Sequence, residues 1–190
     1  MRPFEFIILF LSFIYTLALT HLLFAATRMI RHRRSLVFSW PHALWMVNAL
    51  LLLTGNWISL WDFHRMEAIP LAIIATGLLL VGIQYFICAL VSPDFEEGEA
   101  FDLRAFHARE GRTYMVGFLV LTLVALGVNA AAGARAGVQN WADENAIVLA
   151  MIPPILISLF VRKQWAQVGA PLVLAATMIS FLVIYYPVLT

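Results

Sequence analysis

Apolar residues fall in long unbroken runs, parted by short polar or basic interruptions. A helix rises about 1.5 Å per residue, so roughly 20 apolar residues cross a hydrocarbon core about 30 Å thick. Six segments meet or approach that length: residues 4–27, 39–61, 68–92, 113–132, 145–161 and 168–187. The first stops at the basic cluster Arg28, Arg31, Arg33 and Arg34, and Pro93 ends the third. The fifth is short and carries Pro153 and Pro154. The runs are rich in Leu and Ala and lack the period-two alternation of a membrane barrel. The expected fold class is all-α: a polytopic membrane helix bundle, one domain over residues 1–190, with six transmembrane helices. The first run is too long for the h-region of a signal peptide, and only Arg2 precedes it, so it is read as a retained helix.

Composition narrows the class further. Of the residues, 63% are hydrophobic and 12% charged, against about 45–50% and about 25% in soluble domains. An ordinary soluble enzyme and a disordered chain are excluded. The net charge of +1 offers no field for nucleic acid. Cys88 is the single cysteine, which excludes an intrachain disulfide framework and a multi-cysteine metal site.

Charge also orients the spans. With the Arg28–Arg34 turn placed inside, the inner loops hold Arg28, Arg31, Arg33, Arg34, Arg104, Arg109, Arg112, Arg162 and Lys163. The outer side holds Arg2, Arg65 and Arg135. That bias follows the positive-inside rule and puts both termini on the outer side of a cell's inner membrane, as a multi-pass protein. Trp61, Trp141, Trp165, Tyr185 and Tyr186 fall near span ends, as interface anchors do. The inner loop 93–112 carries the acidic run Glu96, Glu97 and Glu99, read as solvated. Within it, Phe101, Leu103 and Phe106 suit one side of a short interfacial helix. About twenty residues are too few for a soluble catalytic domain.

Polar groups inside a bilayer are costly and often mark function. On this topology His21, His42, Gln84, Asp102 and His107 all fall toward the cytoplasmic leaflet. In the second span His42, Trp45, Asn48, Asn56 and Ser59 lie within about 120° of one another, a polar stripe that should face other helices or a cavity. In the first span Ser12, Thr16, Thr20 and Thr27 share a face about 80° wide, suited to close helix packing, with Glu5 extending it outward. Pro153-Pro154 either kinks the fifth span or breaks it beside a site. Each polar group also has a plain reading as an interhelical hydrogen bond. The cluster Arg28, Arg31, Arg33 and Arg34 is a topology signal that also suits anionic lipid headgroups. There is no phosphate loop, no His-Glu-x-x-His helix and no nucleophile elbow.

Several motifs point to a family. Thr20-His21-Leu22-Leu23 with the basic turn, Trp40-Pro41-His42-Ala43-Leu44-Trp45, and Pro93-Asp94 followed by Asp102-Leu103-Arg104 resemble a group of small bacterial six-helix inner-membrane proteins of no established activity. The resemblance covers roughly the first four spans. It implies a prokaryotic six-helix membrane protein and supplies no reaction or ligand. Together with depth, it singles out His21, His42, Trp45, Asp102 and Arg104 as converging at the cytoplasmic leaflet, with Asn48, Gln84 and His107 as further ligand-binding candidates.

Four functions follow in order of preference. The first is a bundle that binds, moves or senses a small solute, ion or lipid through that polar pocket. The second is an accessory or assembly subunit, paired with a membrane-protein partner or a second copy. The third is a redox subunit holding a b-type haem or a quinone by His21 and His42. An intramembrane enzyme comes last, and no catalytic residue is assigned.

Overall fold

The computed structural model describes residues 3–64, 66–94 and 101–187, apart from the side chain of Ala136. Arg2, Arg65 and the acidic run Glu96, Glu97 and Glu99 lie outside the described residues. The architecture is all-α, and five helices are long and apolar enough to cross a membrane. They are α1 (Pro3–Arg31), α2 (Trp40–Ser59, continued as a 3-10 turn over Leu60–Phe63), α3 (Leu71–Val91), α4 (Leu103–Ala136) and α8 (Gln164–Tyr185). Between α4 and α8 run α5 (Trp141–Glu144), α6 (Ala146–Ala150) and α7 (Ile152–Phe160). The fifth apolar segment is thus a broken helix, shorter than the rest, interrupted at Met151. The break follows from Pro153 and Pro154, which have no N–H for the carbonyls of Leu149 and Ala150.

Helix ends obey local chemistry. Ser39 caps α2, its Oγ facing the His42 N–H, and Pro41 occupies the first turn, where an N–H has no helical acceptor. Asp102 caps α4, with Oδ1 accepting from the N–H groups of Arg104 at 2.7 Å and Ala105 at 3.2 Å. Gly137, at φ 70°, ends α4 in the left-handed region.

The short interfacial helix expected around Phe101, Leu103 and Phe106 does not stand alone. Leu103 and Phe106 lie in the first turns of α4, which continues without interruption to Ala136, and Phe101 lies just before it. A two-residue parallel pairing, β1 (Leu36–Val37) with β2 (Phe101–Asp102), ties the turn after α1 to this start.

α2 is the central helix and packs on α1, α3, α4 and α8, while α4 packs on α3 and α7. The shared core includes Leu22, Trp45, Ile87, Tyr114, Phe118 and Leu174. Among the described glycines the tightest is Gly117, where a Cβ would stand 2.9 Å from Ile87 Cγ1. Large apolar side chains cover the outside, with Phe6, Phe13, Phe24, Phe86 and Val183 all exposed. Such a surface suits lipid.

The hydroxyl face of the first span is corrected. Thr16, Thr20 and Thr27 are exposed and bond to the carbonyls four residues back. The packed face of α1 is Leu11, Tyr15, Ala18, Leu22 and Ala25. A hydroxyl can satisfy itself on its own helix and so needs no neighbour.

The bundle has two distinct ends. At the basic end α1 meets the Arg31–Ser35 turn, and α2, α4 and α8 begin. At the opposite end the Phe4 ring meets Trp61 edge-on at 6.4 Å, and the Tyr186 hydroxyl donates to Asp62 at 2.7 Å. The described chain ends therefore converge on one turn.

Candidate functional site

α2 brings its polar stripe inward. His42, Trp45 and Asn48 are fully buried, while Asn56 and Ser59 are half-buried. His42 Nε2 lies 2.9 Å from the carbonyl of Val91 at the end of α3, so that nitrogen carries the proton and Nδ1 is an acceptor. The imidazole also meets the Phe106 ring edge-on at 5.2 Å. Three residues on, the Trp45 indole packs against Phe118 at 4.9 Å and Tyr114 at 6.0 Å. Asn48 donates from Nδ2 to the carbonyls of Leu44 at 2.8 Å and Pro171 at 2.9 Å.

α4 adds a second polar row on the same side. The His107 ring bonds through Nδ1 to the Tyr114 hydroxyl, and Nε2 lies 3.1 Å from Gln167 Oε1 on α8. Gln167 spends both amide protons on the carbonyls of Ser158 and Val161, each at 2.7 Å. Its Oε1 must therefore accept from His107 Nε2–H, and the Tyr114 hydroxyl donates to Nδ1. The chain Tyr114–His107–Gln167 is satisfied with a neutral imidazole. Gly111 leaves room for it, since a Cβ there would stand 3.3 Å from His107 Nδ1.

Other polar atoms here are not satisfied. His42 Nδ1, Trp45 Nε1, Asn48 Oδ1 and Ser158 Oγ are buried with no hydrogen-bond partner, as are Gln84 Oε1, Ser92 Oγ and Trp141 Nε1 elsewhere among the described residues. Leaving such an atom unpaired costs about 1–3 kcal/mol. The group offers donors (the Trp45 N–H and the Ser158 hydroxyl) and acceptors (His42 Nδ1 and Asn48 Oδ1). It contains no charged side chain.

The remaining sequence candidates go elsewhere. His21 is exposed on the flank of α1, its Nε2 3.3 Å from the Tyr85 hydroxyl. Its partner lies six residues before that of His42 on α3, about 9 Å along the helix axis. The two imidazoles therefore have different partners, one on the flank of α3 and one at its end. Gln84 is buried but turns to the Leu52 carbonyl at 3.0 Å, between α3 and α2. Asp102 is spent as a helix cap, and Arg104 Nε donates to the Phe38 carbonyl at 3.2 Å. Arg104 thereby fastens the start of α4 to the segment before α2. Arg28 pairs with Asp94 at 2.6 Å. Arg31, Arg33 and Arg34 line an open concavity of about 420 Å³ with His32 and Ser35. Among the described residues no three His, Cys, Asp or Glu side chains gather as metal ligands.

Tyr114, Ser158 and Gln167 escaped the sequence reading. A signal existed on α4, where His107, Gly111, Tyr114 and Phe118 recur at helical spacing. Starting the fourth span at residue 113 hid it. The chain matches no family model, no curated protein and no solved structure.

Proposed function

We propose that this chain is a six-crossing protein of a bacterial inner membrane, both termini outside, that binds a small uncharged solute in its polar interior near the cytoplasmic leaflet. Five helices have the length and apolarity to cross, and the broken segment Ala146–Phe160 supplies the sixth. An even number of crossings agrees with the meeting of Phe4 and Tyr186 at the Trp61–Asp62 turn. The surplus of arginine at the other end sets that end inside.

One observation carries the binding reading: buried, unpaired polar atoms of His42, Trp45, Asn48 and Ser158 beside the satisfied Tyr114–His107–Gln167 chain. Most buried polar side-chain atoms in native structures are paired, so each exception calls for a partner. An uncharged ligand follows from the absence of any carboxylate, ammonium or guanidinium among them, because an unpaired ion in that interior would cost far more than it gains.

The test is ligand-induced thermal stabilisation of the purified protein across a panel of small uncharged amides and polyols. At least one should raise the melting temperature in a saturable way, and Asn48→Leu should abolish the rise. A flat response across the panel, or an Asn48→Leu variant that responds like the parent, refutes the assignment.

A second reading, an accessory subunit, draws on one feature. The His21–Tyr85 pair is exposed on the α1–α3 flank, where lipid would leave it poorly solvated. Migration of the native protein as a lone small species on a native gel would remove it.

A further inference from the structure

We infer that the interior site is the inner half of a route across the bundle for small uncharged solutes, closed by an aromatic plug of Trp45, Tyr114 and Phe118. This inference rests on the binding reading above.

The route follows the seam of α2 and α4 with α6, α7 and α8. At the basic end it starts with His107 and Gln167, both half-buried and therefore reachable. Next along the same elements come Trp45 and Asn48 on α2 and Ser158 on α7, whose side chains hold buried, unpaired polar atoms. At this layer Trp45, Tyr114 and Phe118 are all fully buried and in ring contact, so the path is shut. One turn further along both helices a cavity of about 80 Å³ opens, lined in part by Asn56, Thr122, Ala125, Met151, Met178 and Phe181. About 10–15 Å³ admits one water, so the cavity has room for several or for a small organic molecule. Met151 marks the break between α6 and α7, where the carbonyls of Leu149 and Ala150 lack their regular donors. Broken helices line sites in transporters for that reason. Beyond the cavity, buried Asn145 accepts from exposed Asn129 at 2.7 Å, which brings amide groups to the opposite end.

The chemistry of the lining sets the substrate class. Leu, Val, Met and Phe side chains form most of the cavity wall, with Asn56 and Thr122 as its polar groups, and no ionised side chain lines the cavity or the plug. Such a lining tolerates a small uncharged molecule that two polar groups can orient, and excludes an ion, whose hydration it does not replace. Urea and glycerol, at a few heavy atoms each, suit the cavity.

The full chain is reconstituted into liposomes, and urea or glycerol entry is followed by light scattering after osmotic shock. At least one probe should enter at least fivefold faster than into protein-free vesicles, with potassium leak unchanged. Ala125→Leu fills the cavity without touching the binding residues and should reduce entry at least fivefold, while Phe118→Ala should raise it. Each variant is used only if it elutes as the parent does. Should Ala125→Leu fail to fold, Ala125→Cys in a Cys88→Ala background replaces it, with block by a methanethiosulfonate as the expected result. Entry no faster than into empty vesicles, or entry indifferent to filling or blocking the cavity, overturns the route. If thermal stabilisation by the solute panel survives in that case, the binding site stands and only the route falls. If both responses are missing, both fall.

Discussion

Asn48 shows how one side chain serves both fold and site. Its amide protons join Leu44 and Pro171, so it stitches α2 to α8, yet its oxygen stays buried and unpaired. Asn48→Leu loses two bonds, each worth about 0.6 kcal/mol within a bilayer, and removes an atom that costs about 1–3 kcal/mol unpaired. The two nearly cancel. The melting temperature without solute should therefore change little, and a large drop in thermal denaturation would contradict this balance. Gly117 is the opposite case, a position with no freedom. A methyl there meets Ile87 at 2.9 Å, and overpacking of this kind costs about 1–3 kcal/mol. Gly117→Ala should destabilise, and by less in an Ile87→Ala background. Equal losses in the two backgrounds, measured by thermal or denaturant unfolding, would place the cause elsewhere.

At the scale of elements, α4 is where the sequence misleads. It spans 34 residues because Asp102 caps it early and the basic stretch around Arg104 and Arg109 continues the helix beyond the apolar run. Hydropathy measures the greasy part alone and stops near residue 113. The cap was legible as an Asp before a helix-forming stretch, but the sequence did not distinguish a separate interfacial helix from an extension. Asp102→Ala should cost about 0.5–2 kcal/mol, and Asp102→Asn should keep most of the stability. A destabilisation by Asn as large as by Ala would mean that charge, and not capping, is what Asp102 supplies. The broken segment behaves differently: its two prolines announced an interruption, and the break lies at Met151, beside them.

For the whole molecule the testable property is sidedness. In a Cys88→Ala background, Ser35→Cys should react with an impermeant maleimide only from the cytoplasmic side, and Glu67→Cys only from the outer side. Labelling of both from one side would break the six-crossing arrangement. The same global geometry decided the fate of the two histidines. His21 and His42 are similar residues on successive helices, and sequence depth put them together. Helix rotation turned His21 out to Tyr85 and His42 in to Val91.

Class, span length and the inward stripe of α2 could be read from the chain because each is a sum over neighbours: hydrophobicity accumulates along a run, and a 3.6-residue period sorts one helix's faces. Which residues meet across helices depends on rotation, tilt and relative depth, and close packing at places such as Gly117–Ile87 sets these. That is why His107, Tyr114, Ser158 and Gln167 joined the stripe, while His21, Asp102 and Arg104 went to other work.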